Sequence, residues 1–401
     1  MASHTAEDAA HHPAQPRQTV RHSVELPQWM KAKPAPPLGV VLAGGRGTRL
    51  APLTPETPKP LVPLMNCPLL RFALEQFADA GLTETVVVVD AGDDQTAAAA
   101  SRLAPPGLEV TVARQAAPLG SADALAAVGA ALDNRTVIVA AVDTILRADL
   151  AEPIARFRAS EAVAGLMLDP TDRPLEMGIA VLDGDRIVHL EEKPRRPRSD
   201  LAAVGVWMLG PLAVERVCRC PIPNADGEAD LTATMATLVA AGHDVRGWRV
   251  DGTWLDAGSI AGLLETQAAL LSRIAPARRP VGVESEMHGT IAAGERVSVL
   301  RSRLVGPILL GSDVGITDCE IGPGVVVGDG AELRRAKLRH ALVASGARVE
   351  EKELSEVVVP GPPRKVETRI GRRMRWAAEA DRSAAGAATA VGPQDPGVAE
   401  K

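Results

Sequence analysis

Short β-branched runs that alternate with helix-period segments constrain this chain more than any other feature of its sequence. Gly39 to Ala43, Val86 to Val89, Val137 to Val142 and Val163 to Leu168 each read as strands buried on both faces. Between the first two, Leu70, Ala73, Leu74 and Phe77 recur at i, i+3, i+4 and i+7, one apolar helical stripe that Gly81 is placed to stop. This alternation from Leu38 to about Ile274 predicts an α/β domain over 38–275: a Rossmann-like, mostly parallel sheet with helices on both faces.

Past residue 280 the period changes to six. Ile291 and Val297, then Leu304, Leu310 and Ile316, then Ile321, Val327 and Leu333 fall six apart within each group. Glycines and small residues cluster between them, which predicts a short left-handed β-helix of hexapeptide repeats over 280–359. A plain β-meander is the alternative, because a step of seven after Val297 and one of five after Ile316 break the phase. Residues 1–37, rich in proline and in half of the histidines, read as a disordered extension. The pair His11-His12 invites a metal, but a flexible tail offers no fixed third ligand. Residues 360–401 read as a basic helix, with Val366, Ile370 and Met374 on one face, followed by a disordered tail.

Composition excludes several roles. The 401 residues carry a formal charge of −6 and only 2% aromatics, with no tyrosine, so neither a basic field nor stacking platforms for nucleic acid are available. No apolar run reaches membrane-spanning length, and the N-terminus lacks the core of a signal peptide. Cys67, Cys218, Cys220 and Cys319 form no C-x-x-C pair and are too sparse for a disulfide framework, so a reducing, cytoplasmic setting is expected.

The first strand runs straight into Leu42-Ala43-Gly44-Gly45-Arg46-Gly47-Thr48-Arg49-Leu50. Three glycines let the backbone approach a phosphate with its N–H groups turned inward, and Arg49 offers a planar fork for phosphate oxygens. The run is neither a Walker A loop nor a G-x-G-x-x-G fingerprint. Ten residues on, Lys59 stands between Pro58 and Pro60. The chain has eight lysines against thirty-six arginines, so a lysine held in a stiff loop points to a need for a compact ammonium, with a surface lysine as the alternative.

Together, Leu-Ala-Gly-Gly-x-Gly-Thr-Arg-Leu and Pro-Lys-Pro-Leu-Val-Pro resemble the sugar-1-phosphate nucleotidyltransferases, the nucleotide-sugar pyrophosphorylases. The likeness extends over about 38–350, and its trailing hexapeptide region is similar to that of long-type glucose-1-phosphate thymidylyltransferases and mannose-1-phosphate guanylyltransferases. The resemblance implies a nucleoside triphosphate on Leu42, Gly44, Gly45, Gly47 and Thr48, with Arg49 and Lys59 neutralising its phosphates. It implies that Gln115, Gly120 and Ser121, in Gln115-Ala116-Ala117-Pro118-Leu119-Gly120-Ser121-Ala122, meet the nucleobase, with a helix capped near Ser121; a simple turn before a helix is the alternative. It implies Mg²⁺ on Asp143 and on Asp256 of Trp254-Leu255-Asp256-Ala257-Gly258. It implies a sugar phosphate on Gly178, Glu192, Lys193 and Val204, although a Glu-Lys pair is also a common solvated ion pair.

Two departures bear on function. Val142 replaces a usual glycine before Asp143, where a β-branched side chain is expected to narrow the approach to the phosphates. The Glu-x-Thr-Asp element stands here as Asp230-Leu231-Thr232-Ala233, without its final carboxylate. The implied reaction is attack by a sugar-1-phosphate oxygen on the α-phosphorus of a nucleoside triphosphate, dTTP with glucose-1-phosphate first, in a homo-oligomer. The resemblance implies Arg49, Lys59 and Lys193 as the catalytic cations. GTP with mannose-1-phosphate, UTP with glucose-1-phosphate, a non-catalytic nucleotide-sugar sensor and an interaction module on the β-helix stay open.

Overall fold

The computed structural model describes residues 35–275 and 279–362. The expectations for residues 1–37 and 360–401 fall almost wholly outside the described residues. In the front region the strands are β1 (Leu38–Leu42), β2 (Glu84–Asp90), β3 (Glu109–Gln115), β4 (Val137–Ala141), β5 (Thr144–Ala148) and β6 (Ala164–Pro170). They continue as β7 (Gly178–Asp183), β8 (Arg186–Glu192), β9 (Leu201–Leu209), β10 (Val245–Arg249) and β11 (Gly252–Asp256). The helices are α1 (Leu69–Asp79), α2 (Asp94–Leu103), α3 (Ser121–Ala126), α4 (Ala151–Ala159), α5 (Pro211–Arg219), α6 (Leu231–Ala240) and α7 (Ile260–Leu271).

Nine strands form one sheet in the order β3-β2-β1-β4-β9-β6-β10-β8-β7. The block β3-β2-β1-β4 is parallel throughout, as the sequence predicts. Beyond it β9 and β8 run against the other strands, so the sheet is mixed on that side. Strands buried on both faces are continuous apolar runs whichever way they point, which hides their direction from the sequence. Along β1, Val41 joins the core beneath α1, α2, α4 and α7, whereas Leu38, Val40 and Leu42 join the core beneath α3, α5 and α6. Helices therefore cover both faces, and the parallel strands end along one edge, where ligands of open α/β sheets gather. The α1 stripe behaves as its spacing requires: Leu70, Ala73, Leu74 and Phe77 are buried, and Gly81 takes φ +80° beyond the helix end.

From Gly282 to Val359 the chain winds in stacked coils. Gly282–Val283, Ser298–Leu300, Gly315–Thr317, Glu332–Arg334 and Arg348–Glu350 pair in parallel as one face. Side-chain bonds between neighbouring coils span 17 residues: the N–H of Ser302 to Ser285, that of Cys319 to Ser302 and that of Ser312 to Asp329. Val299, Leu304, Leu310, Ile316, Ile321, Val327, Leu333 and Leu338 point inward and are buried, in steps of five, six and six. The five-residue step is thus a regular part of each coil and not a break in phase. The inward residue is Val299, with Val297 only half-buried, and parallel pairing one coil apart excludes a meander.

The coils sit directly on the α/β region. Gln267 of α7, 1% exposed, donates through Nε2 to the carbonyls of Gly324 and Ala341, both at 3.1 Å, and Asn66 donates to the Val327 carbonyl at 2.9 Å. Val326 and Leu342 are part of the core that holds α1 and α7. The four cysteines are all free thiols. Among the described residues no helix is long and apolar enough to cross a membrane.

Candidate active site

The loop after β1 leaves the sheet at Ala43, whose N–H still bonds the Val88 carbonyl at 2.8 Å. Gly47 lies in the left-handed region at φ +60° and starts a single 3-10 turn, Thr48–Leu50, that carries Arg49. The Thr54 hydroxyl holds the Gly47 carbonyl at 2.9 Å. A second short turn, Lys59–Leu61, follows Pro58 and includes Pro60, so the base of Lys59 is stiffly held. Its ammonium reaches Asp143 Oδ2 at 2.7 Å, with both side chains about one-sixth exposed.

Asp143 and Asp256 meet through strand register. Asp143 stands two residues past β4, in the turn to β5, and Thr144 opens β5, which pairs antiparallel with β11 so that Asp256 lies opposite Thr144. The Ala257 N–H donates to the Asp143 carbonyl at 3.0 Å, and the Gly258 N–H to Asp256 Oδ1 at 2.8 Å. A methyl group on Gly258 would overlap Asp143 Oδ2, sit 2.9 Å from Asp256 Oδ1 and 3.2 Å from an Arg49 guanidinium nitrogen. Two carboxylates and one guanidinium therefore surround a point that only a glycine leaves open. Burial pushes the Asp143 carboxyl up, but the Lys59 charge and hydrogen bond, its own backbone N–H and the Arg49 charge outweigh it, and the net direction is down.

Val142 does not narrow this site. It is 1% exposed, packs in the core beneath α1, and donates its N–H to the Leu42 carbonyl at 3.2 Å. Val204 also turns inward, at 1% exposure, and its carbonyl accepts the buried Thr144 hydroxyl at 3.0 Å. Its carbonyl braces the β4–β5 corner, and its buried side chain forms no open pocket wall.

A second group gathers Gly178, Glu192 and Lys193. A methyl on Gly178 would lie 2.5 Å from the Thr232 methyl and 2.8 Å from Glu192 Oε2. Lys193 sits at φ +46°, a costly conformation for a lysine, with its N–H bonded to the Met177 carbonyl at 3.0 Å. Its ammonium bonds Asp226 Oδ2 at 2.9 Å, a partner sequence reasoning did not supply. The Asp226 hydrogen bond raises Lys193 above its ordinary value. Burial, then the neighbouring Asp230 charge, pushes the Glu192 carboxyl up to about 7. Asp230 caps α6 by accepting the Ala233 N–H at 2.8 Å, so the altered element keeps a carboxylate beside Glu192, at its first position and not its last.

A third group surrounds Gly44 and Gly45. Gln115, 4% exposed, donates through Nε2 to the Gly120 carbonyl at 3.2 Å and to Asp123 Oδ2 at 2.8 Å. Asp90, at the end of β2, accepts the Gly45 N–H at 3.0 Å. Gly120, not Ser121, caps α3; the Ser121 hydroxyl instead accepts the Leu231 N–H at 2.9 Å and donates to Asp230 Oδ2 at 3.2 Å, linking this group to the second. Asp90 follows an apolar run as Asp143 does, and that signal was in the sequence.

Among the described residues no cluster of three or more His, Cys, Asp or Glu side chains suits a metal. The pair Asp143 and Asp256, with the gap at Gly258, fits a Mg²⁺ ion that takes one or two carboxylates and fills its other positions with phosphate oxygens and water.

Residues 38–273 match the family model described as nucleotidyl transferase. The chain belongs to the sugar-1-phosphate nucleotidyltransferase family. It is 32% identical over 339 residues to a glucose-1-phosphate thymidylyltransferase of Streptomyces antibioticus, covering 84% of this chain and 92% of that one. It is 28% identical over 313 residues to a mannose-1-phosphate guanylyltransferase of Mycobacterium tuberculosis, covering 78% and 80%. A solved apo UDP-glucose pyrophosphorylase shares the fold, with TM-score 0.51 and 20% identity over 58% of this chain and 96% of that one. This chain is accordingly a nucleotidyltransferase enzyme.

Proposed function

We propose that the chain joins a nucleoside triphosphate to a hexose-1-phosphate, giving an NDP-sugar and pyrophosphate. A phosphate oxygen of the sugar-1-phosphate attacks the α-phosphorus; the bond from that phosphorus to the oxygen bridging to the β-phosphate breaks, and pyrophosphate leaves with the electron pair. The nucleophile is ionised at neutral pH and needs no general base. The barrier is the cost of bringing two polyanions together and of the charge that develops at transfer.

The observation that carries this reading is the convergence of Asp143, Asp256, Arg49 and Lys59 beside the glycine loop. Arg49 takes the departing phosphates, and Lys59, steered by Asp143, takes the triphosphate on its other side. Asp143 and Asp256 would hold Mg²⁺, which supplies charge neutralisation at the phosphates when bound. Glu192 accepts sugar hydroxyls, and Lys193 leaves Asp226 to meet the incoming phosphate. Glucose-1-phosphate with dTTP is supported by the names of the relatives at 32% identity.

The test is a matrix of nucleoside triphosphates against glucose-, mannose- and N-acetylglucosamine-1-phosphate, read by pyrophosphate release. Turnover with one pair is expected. Binding of nucleotide sugar without release, and without pyrophosphate exchange into the triphosphate, would replace the enzyme reading with that of a sensor.

A further inference from the structure

Lys193 already has a partner where a sugar phosphate would need it. Its backbone stands in the left-handed region at φ +46°, and its ammonium is bonded to Asp226 Oδ2 at 2.9 Å. That hydrogen bond comes first among the causes that raise Lys193 above its ordinary value, ahead of the Glu192 and Asp230 charges.

Of the two partners, Asp226 is the fixed one. It lies at the tip of a hairpin whose arms, Ile222–Pro223 and Ala229–Asp230, pair antiparallel. Asn224 locks the tip: its Oδ1 accepts the N–H groups of Asp226 and Glu228 at 2.9 and 3.0 Å. The Asn224 N–H donates to the Glu228 carbonyl at 2.8 Å, and Gly227, at φ +82°, completes the turn. The arms are anchored in turn. The Ile222 N–H donates to the Thr234 hydroxyl of α6 at 2.9 Å, the Ala229 N–H to the Leu119 carbonyl at 2.7 Å, and the Ser121 hydroxyl to Asp230 Oδ2 at 3.2 Å. A methyl on Gly120 would overlap the Ala229 backbone, so hairpin and neighbour touch without slack. Lys193 reaches this rigid tip through a flexible four-carbon stem. When the pair opens, the ammonium moves and the carboxylate stays.

We propose that Asp226 is a positioning residue that latches Lys193: it parks the ammonium at the sugar end of the site, and the sugar phosphate has to displace it. The carboxylate left behind opposes the incoming phosphate, as do Glu192 and Asp230. This competition ends once the phosphate is bound, so it acts alike on the bound substrate and on the transition state. Asp226 therefore sets the KM for the sugar phosphate and leaves kcat alone. The inference rests on the role proposed above for Lys193 and adds the residue that governs when that lysine is available. The two side chains are 37% and 62% exposed, which limits the effect to about 3- to 10-fold.

The experiment uses Asp226→Asn, which keeps an acceptor for the ammonium and the turn made by Asn224 but removes the charge. By pyrophosphate release at low ionic strength, its KM for glucose- or mannose-1-phosphate is expected to fall about 3- to 10-fold, with kcat and the triphosphate KM within about twofold of wild type. The gap is expected to close at about 0.5 M salt, where the two charges are screened, and Asp226→Glu is expected to restore the wild-type KM. An unchanged or higher sugar-phosphate KM in Asp226→Asn, or an equal shift in the triphosphate KM, would overturn the inference. Calorimetric titration of both proteins with the same hexose phosphates, beside an α,β-methylene triphosphate that cannot be transferred, separates this inference from the reaction it rests on. Tighter binding by Asp226→Asn without pyrophosphate release from either protein would keep the latch and reject the transfer reaction. Pyrophosphate release with identical binding would keep the reaction and reject the latch, and no binding by either protein would reject both.

Discussion

A single added carbon tests the convergence of the two aspartates. Gly258→Ala leaves the backbone conformation in ordinary space, since Gly258 is absent from the positive-φ residues, and it keeps the N–H that holds Asp256. The new methyl overlaps Asp143 Oδ2 and crowds Asp256 Oδ1 at 2.9 Å. To restore van der Waals separation the Asp143 oxygen must retreat by roughly 1 Å. Displacement of about that size at a reacting centre costs on the order of 100-fold in rate, or about 2.7 kcal/mol of barrier. Overpacking by one methyl costs about 1–3 kcal/mol of stability, so the variant is expected to fold. The assay is steady-state pyrophosphate release together with the reverse pyrophosphorolysis, which must fall by the same factor if the equilibrium is unchanged. Gly92→Ala is the control, because its methyl meets nothing within 4 Å. Turnover of Gly258→Ala within about threefold of wild type would refute the claim that both carboxylates act at one point.

Four further outcomes follow from named contacts. Arg49→Ala is expected to lower kcat by about 100-fold or more, the scale for loss of a preorganised charge contact, in the same pyrophosphate assay. Asp256→Asn is expected to raise the Mg²⁺ concentration for half-maximal activity at least about 10-fold, measured by metal titration with sugar phosphate saturating. Glu192, raised from 4.5 to about 7 by burial first, favours the protonated native state, so its contribution to stability is full below pH 4.5 and lost as pH rises through 7. Glu192→Gln removes that loss of up to about 3 kcal/mol, and its Tm is expected to gain on wild type between pH 5 and pH 8. Gln267→Ala leaves the buried carbonyls of Gly324 and Ala341 without their side-chain donor and is expected to cost about 1–3 kcal/mol in thermal unfolding, with kcat at 25 °C unchanged.

What the sequence made legible, and what it did not, divides along the range of the interaction. β1, β2, β4 and α1 follow from local periodicity, because burial on one face or two leaves its mark residue by residue. The reversed direction of β8 and β9 leaves no such mark. In the coils, the inward positions obey a rhythm of five, six and six that looks broken when Val297 is counted in place of Val299, although both are apolar and two residues apart. Arg49 and Lys59 were legible as candidates from residue type in a glycine loop and a stiff turn, and Asp143 and Asp256 from the motifs that carry the family resemblance. Partners chosen by the fold were not: Asp226 for Lys193, Leu231 for Ser121 and the core for Val142 and Val204.

The candidate site also shows how a distant pair is made dependable. Asp143 and Asp256 are far apart in the chain, and neither strand that aligns them belongs to the large sheet: β5 and β11 form a ladder of their own. In an antiparallel ladder a slip of one residue turns every side chain to the opposite face, so the register Asp256 opposite Thr144 has to be enforced. Three contacts enforce it. Ile145 and Leu146 of β5 are buried in the core shared with α7, the Thr144 hydroxyl is bonded to the Val204 carbonyl, and Ser259 caps α7 immediately after Gly258. Each ties the ladder to a different element, β9 or α7 or the core, so the two carboxylates are set by packing before any cation or phosphate arrives. The Asp143 charge is offset in advance by those of Lys59 and Arg49, an arrangement the proposed transfer would use without rebuilding it.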